Sequence, residues 1–229
     1  MHPRIPACAV AGFDPDHSAA LWQAPNLDLP GGYVKNALNI LRSEHQSLSA
    51  VLHGLTILAR DARNPAVRPD FTVFRAMLRY IDSFPERLHH PKEDEFLFRP
   101  VIARAVEAHA LVDQLRTEHQ QGAKLIRALE QALLDLEAHW PDGAARFTGL
   151  VEAYSRFHWD HMRVEEDVLM PLAERVLLEE DWRAMEEALA GNEDPIANLR
   201  EKDFADLFTR IVNIAPAPIG LGERWGSHA

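Results

Sequence analysis

Leu41-Arg42-Ser43-Glu44-His45-Gln46 is answered further along the chain by Leu115-Arg116-Thr117-Glu118-His119-Gln120, an offset of 74 residues from His45 to His119. A second echo runs at nearly the same distance. His89 and Glu93 stand four residues apart, as do His161 and Glu165, and 72 residues separate the two pairs. Two offsets this close predict a duplicated helical hairpin, with a first and second helix repeated as a third and fourth. Leu38, Leu41, His45, Leu48, Leu52 and Leu55 recur at steps of three and four, one stripe on a helix over residues 33–61. Asn64-Pro65 and Arg68-Pro69-Asp70 mark the connection that follows.

The second helical region, 70–109, carries Phe71, Phe74, Leu78 and Ile81 on one face and later Glu93, Leu97 and Val101. Pro85 and Pro91 predict that it is kinked or in two pieces. The third, 110–139, shows Leu115, His119, Gly122, Ile126, Leu129, Leu133 and Leu136 on one stripe. Trp140-Pro141-Asp142-Gly143 is a turn. The fourth, 144–178, shows Phe147, Tyr154, His158, His161, Glu165, Val168, Leu172 and Val176. No segment alternates with period two long enough to make a strand. The expected fold is therefore all-α, an antiparallel up-down-up-down four-helix bundle over residues 33–178. Five prolines within residues 1–32 predict an irregular N-terminal extension. Residues 179–229 read as a C-terminal extension with two shorter helices, Asp181–Gly191 and Lys202–Ile214, and an irregular tail lying against the bundle.

Composition narrows the function. With 24 basic and 35 acidic residues among 229, the net charge of −11 argues against nucleic acid and anionic membranes as partners. One cysteine, Cys8, excludes an internal disulfide framework and any pair of cysteine ligands. No apolar run is long enough to span a bilayer, and the start MHPRIPACAVAGFDPDH lacks the basic flank and long apolar region of a signal peptide. The expected setting is the cytoplasm. Twelve histidines are the outlying count, and their placement is informative.

His45 and His119 interrupt leucine-rich stripes, and His161 and Glu165 interrupt the apolar face of the fourth helix. Burying such groups is costly unless they are paired, hydrogen-bonded or metal-bound. A spacing of four puts histidine and glutamate on one helical face, ~6 Å apart along the axis. Two such pairs facing two single histidines bring four imidazoles and two carboxylates to one level, a ligand set suited to iron, manganese or zinc. Six ligands exceed one tetrahedral ion and suit a dinuclear site, each carboxylate able to bridge. Any one of these histidines alone reads as a hydrogen-bonded core residue; in register on four helices they read as a metal site.

The arrangement His45, His89-x3-Glu93, His119, His161-x3-Glu165 resembles that of hemerythrin-like (HHE cation-binding) proteins. The stretches HisHisProLysGluAspGluPheLeuPhe (89–98) and HisMetArgValGluGluAspValLeuMetPro (161–171) look like that family's signatures. The resemblance covers residues 35–178, and the later stretch resembles the C-terminal part of one bacterial subgroup. It implies a non-haem centre of two iron ions, bridged by an oxo or hydroxo group and by Glu93 and Glu165, with manganese or zinc as alternatives. One iron would draw on His45 and His89 and the other on His119 and His161. Open positions would take a small diatomic or oxidant (O2, NO or peroxide) in sensing or stress handling, with an electron-transfer partner not identified. The fifth histidine of oxygen-carrying hemerythrins falls at Ala123 here, which argues against reversible oxygen carriage. The iron–sulfur repair relatives carry an N-terminal cysteine pair, and a single Cys8 argues against that role. The second reading is a non-catalytic metal-stabilised bundle, bound to zinc or manganese, whose C-terminal extension docks a partner or a second copy in a homodimer.

Alignment of the two signatures favours His89 over His90 as the ligand, while Pro91 distorts the turn between them and Glu93 and leaves His90 as the alternative. His158, Tyr154, His90 and Glu166 are candidates to orient the ligands by hydrogen bonds. Glu44, Glu118 and Asp94 adjoin ligands but point ~100° round the helix, and read as solvated or outer contacts. His2, His17, His53, His109, His139 and His228 read as surface residues.

Overall fold

The structure, a computed structural model, describes residues 32–190, 209, 211–216 and 219. The N-terminal extension with Cys8, His2 and His17, the Asn192–Pro195 break, most of the predicted Lys202–Ile214 helix, most of the tail, and His228 lie outside the described residues. Among the described residues the chain is helical, with no strand. Helix α1 runs Gly32–Asp61, α2 Phe71–Ser83, α3 His90–Glu93, α4 Arg99–Arg104, α5 His109–His139, α6 Ala144–Val164, α7 Met170–Val176 and α8 Glu179–Ala190. Asp70 starts α2 by accepting the Thr72 N–H at 2.8 Å. Gly143, at φ 89°, supplies the left-handed residue before α6.

Three π-turns join the shorter helices: Pro85–His89 before α3, Asp94–Phe98 between α3 and α4, and Glu165–Leu169 between α6 and α7. Their closing bonds reach five residues back, from the N–H of His90 to Pro85 O, of Arg99 to Asp94 O and of Met170 to Glu165 O. Each turn ends two residues before a proline, namely Pro91, Pro100 and Pro171. A proline has no N–H and crowds the carbonyl one turn back, so a wider turn ahead of it relieves both problems. The irregularity expected from Pro85 and Pro91 thus takes the form of π-turns rather than a break.

The π-turns also change register. Val168, expected on the inward stripe, is 51% exposed, whereas Leu169 and Met170 are fully buried. The extra residue in the turn after Glu165 moves the apolar face one position along. The second helical region ends at Arg104, where Ala105 turns extended, short of the expected residue 109. The other stripes are buried as their spacing predicts, from Leu38 to Leu55 on α1 and from Leu115 to Leu136 on α5.

The apolar core is in two clusters. One gathers Leu48, Leu52, Phe74, Ile126, Phe147 and Val151 among others. The second gathers Leu38, Leu41, Leu97, Phe98, Leu115 and Leu169, and α8 docks on it through Trp182, Met185 and Leu189. Ile211 and Ala215 belong to the first cluster. Along α1 the first cluster begins at Leu48 and the second ends at Leu41, with His45 between them. On α5, His119 likewise separates Leu115 from Ile126. A polar layer therefore divides the core, and no helix of the described residues is long and apolar enough to cross a membrane.

Candidate metal centre

The dividing layer is made by His45, His89, Glu93, His119, His161 and Glu165, each no more than 6% exposed and both glutamates at 0%. His45 comes from α1, His119 from α5 and His161 from α6, while His89 and Glu165 sit on π-turns and Glu93 ends α3. The imidazoles meet in pairs. His45 Nε2 is 3.2 Å from His89 Nε2, and His119 Nε2 is 3.1 Å from His161 Nε2. Two ring nitrogens that close need a proton or a cation between them. Ligands at right angles on one ion, each at ~2.1 Å, stand ~3.0 Å apart, close to both separations.

The carboxylates reach both pairs. Glu93 lies 3.3 Å from His89 Nε2, 3.7 Å from His45 Nε2 and 3.7 Å from His119 Nε2. Glu165 places Oε2 3.4 Å from His45 Nε2 and Oε1 3.2 Å from His161 Nε2. All four oxygens of these two residues are buried with no hydrogen-bond partner. Orphaned charged oxygens in a core are among the costliest arrangements a protein can keep. Cations among the four nitrogens would satisfy them.

The far nitrogens complete a ring. Glu44 of α1 holds His89 Nδ1 at 2.8 Å. Asp94, beside Glu93, faces His119 Nδ1 at 3.3 Å, an ion-pair contact rather than a hydrogen bond. Glu118 of α5 holds His161 Nδ1 at 2.8 Å, and Glu166, beside Glu165, holds His45 Nδ1 at 2.8 Å. Each helical segment thus lends a carboxylate to the histidine of the next, and the fourth closes on the first. Such a carboxylate fixes the proton on Nδ1, aims Nε2 inward and raises the basicity of the ring. Glu166 was the foremost of these four in the sequence; the other three reach across to a neighbouring helix, which a single-helix projection does not display. Glu118→Gln keeps an oxygen near His161 but removes its charge. We expect metal affinity to fall ~10-fold, measured by competition with a chelator.

Electrostatics follow from this crowding. Burial works to lower the imidazoles, but Glu166, Glu93 and Glu165 outweigh it and lift His45 to about 10. His161 rises to about 10 against its burial through Glu165 and Glu118, and His119 to about 9 through Asp94, Glu165 and Glu93. Glu165 is held well below the usual carboxylate range: burial opposes this, and His161, His119 and His45 overcome it. Protons and cations therefore compete for the same nitrogens.

His90 and His158 are buried at 4% and 1% exposure but stand apart from the paired nitrogens. A ring nitrogen of His90 comes within 4.8 Å of donors on His119 and His161. Its ring, however, stacks on His119 at 4.1 Å between centroids and 13° between planes. An ion bound in-plane by His119 cannot also lie in the plane of a ring stacked upon it, so His90 packs against a ligand and does not share its ion. His158 and Tyr154 point instead to Glu86, a buried carboxylate that the sequence stripes did not single out. Tyr154 donates to Glu86 Oε1 at 2.9 Å. A signal was present, because Glu86 and His90 have the same four-residue spacing as the ligand pairs, in reverse order. His53, His109 and His139 are exposed.

The model of one protein family, described as the hemerythrin HHE cation binding domain, matches residues 36–173. That span contains all six residues of the buried layer and all four carboxylates around it. No curated protein matches the chain.

Proposed function

The chain belongs to the hemerythrin HHE cation-binding family, and on that premise we propose that it is a non-haem di-iron protein. His45 and His89 would hold one iron and His119 and His161 the other, with Glu93 and Glu165 as the carboxylates shared between them, in an antiparallel up-down-up-down bundle. The observation that carries this reading is the set of four buried oxygens on Glu93 and Glu165 that make no hydrogen bond and face two close pairs of imidazole nitrogens. Bound iron supplies a reversible one-electron change and coordination positions for a small molecule.

The rest is the work of the chain. Glu44, Asp94, Glu118 and Glu166 keep the protons on the outer nitrogens, so the inner ones remain ligands. Phe98 and His90 cover the two faces of the His119 ring, at 5.2 and 4.1 Å, and keep water from it. Ala123, one turn beyond His119, offers no further ligand, which leaves the second ion coordinatively open. We assign the open positions to a small oxidant or diatomic, O2, NO or peroxide, in sensing or stress handling in the cytoplasm.

Metal analysis and absorption spectra test this. The chain, loaded with ferrous iron and exposed to air, should carry two irons and develop the near-ultraviolet and visible bands of a bridged ferric pair. A chain that purifies with one zinc and develops no such bands after iron loading would instead be a metal-stabilised interaction module.

A further inference from the structure

Beside the His119 face of the metal layer lies a second group of buried ionisable side chains. Glu86 is 3% exposed and is the focus of three of them. Tyr154 donates its hydroxyl to Oε1, His158 Nε2 stands 3.5 Å from the same oxygen, and His90 Nδ1 stands 3.5 Å from Oε2. The contacts to the imidazoles are long, and Oε2 has no hydrogen-bond partner. Gly122 on α5 makes the room for this, since a Cβ there would stand 2.8 Å from Glu86 Oε1. The rings form a column that ends at a ligand: Tyr154 to His158 at 4.4 Å, His158 to His90 at 5.9 Å, His90 to His119 at 4.1 Å. Glu86 thus meets the edge of the imidazole whose face lies on His119.

Inside the core the close polar contacts of Glu86 are the Tyr154 hydroxyl and the two imidazoles at 3.5 Å. Burial works to raise the carboxyl, yet His158 and His90 hold it at about 2. Burial in turn works to push His90 and His158 down. Tyr154 is pushed well above its ordinary value, by burial first and by Glu86, and keeps its proton. Asp82, not Glu86, takes the nearby cations Arg87 and Arg127, at 2.8 and 3.0 Å. Arg127 feels the Glu86 charge as well, yet a carboxylate this deeply buried, with one hydrogen bond, still has much of its charge available to a neighbouring positive centre.

We propose that Glu86 sets the reduction potential of the metal pair, as an outer negative charge that favours the oxidised ions, moderated by the Tyr154 hydrogen bond. This rests on the iron reading above and adds to it a residue that binds neither metal nor small molecule. No bond is made or broken by Glu86; it acts through its field, which the core screens far less than water does. The sign is fixed: a negative charge nearby stabilises the more positive oxidation state and lowers the potential. Tyr154 withdraws part of that charge, so its loss acts in the opposite direction from the loss of Glu86.

The experiment is a redox titration of the iron-loaded full chain, followed by its visible absorption, for wild type, Glu86→Gln, Tyr154→Phe and the control Glu152→Gln, a half-buried carboxylate paired with Arg60 instead of the metal layer. Glu86→Gln is expected to raise the midpoint by a factor of at least ten in the oxidised-to-reduced ratio, ~59 mV for one electron. Tyr154→Phe is expected to lower it, and Glu152→Gln to leave it in place. A purely structural role would move both buried variants in the same direction, and that result, or no shift in Glu86→Gln, overturns the proposal. Should Glu86→Gln fail to fold, Tyr154→Phe decides alone: a lowered midpoint supports the assignment, and an unchanged or raised one overturns it. A wild-type chain that takes up no redox-active metal overturns the iron reading and this inference together. One that cycles normally while Glu86→Gln matches it overturns this inference alone.

Discussion

Glu165→Gln should strip the metal centre while leaving the fold standing. Glu165 is fully buried and brings one oxygen to each imidazole pair. The amide has the same shape but no charge and only one oxygen, so it cannot bridge two ions. Its one oxygen can accept from only one of the imidazoles that Glu165 meets with two. In the metal-free protein His45, His119 and His161 also lose the buried counter-charge they share, so the variant's thermal midpoint should fall below that of metal-free wild type. Metal affinity should fall well beyond the ~10–100-fold that loss of an outer partner costs. Chelator competition measures the affinity, and the far-ultraviolet spectrum shows whether the fold persists. In the same assay His119→Ala should lose metal and His139→Ala should not, because His139 is exposed and bonds only the carbonyl of Asp135. Equal retention in the two would refute the ligand set.

This centre was unusually legible because its chemistry obeys the helical period. His45 and His119 break leucine stripes, and the two four-residue pairs repeat at nearly one offset, so the layer can be read from spacing alone. What spacing could not convey is where the period itself changes. Each π-turn inserts a residue, and so Val168 faces solvent where the stripe put it in the core. The prolines two residues beyond each turn mark the places, but a proline reads equally well as a kink. The ring of outer carboxylates was hidden for another reason. Glu44, Asp94 and Glu118 look solvated on their own helices, and their partners become visible only when the next helix is packed alongside. Glu86 combines both obstacles, lying on a π-turn and pointing into space opened by a glycine on another helix.

The same carboxylates give the metal-free protein an alkaline weakness. His45, His119 and His161 have folded-state values of about 10, 9 and 10, above the ordinary 6.5 that they regain on unfolding. Below pH 6.5 they are protonated in both states and their stabilisation is fully present. Above it the unfolded chain releases protons that the folded chain still holds, so stability falls until the folded groups titrate at 9 to 10. Each net proton contributes a slope of ~1.4 kcal/mol per pH unit. For a chain of this size one such unit lowers the midpoint by ~3–6 °C. The three groups share Glu165 as a partner, so their slopes do not simply add. On the acid side Glu86 and Glu165 act in reverse, with stabilisation present above their ordinary 4.5 and lost as pH falls through their depressed values. Burial also pushes His90 and His158 below their ordinary 6.5, so below that value the unfolded chain takes up protons that the folded chain refuses. Chelated protein should therefore be most stable near pH 6.5 and melt progressively earlier from pH 7 to 10. Metal-loaded protein should hold its midpoint across that alkaline range, because cations replace the protons on the same nitrogens, and should shed its metal as acid returns them. Calorimetry on both forms from pH 5 to 10 tests this, and a metal-free midpoint flat across pH 7 to 10 would remove the histidine–carboxylate layer as its cause.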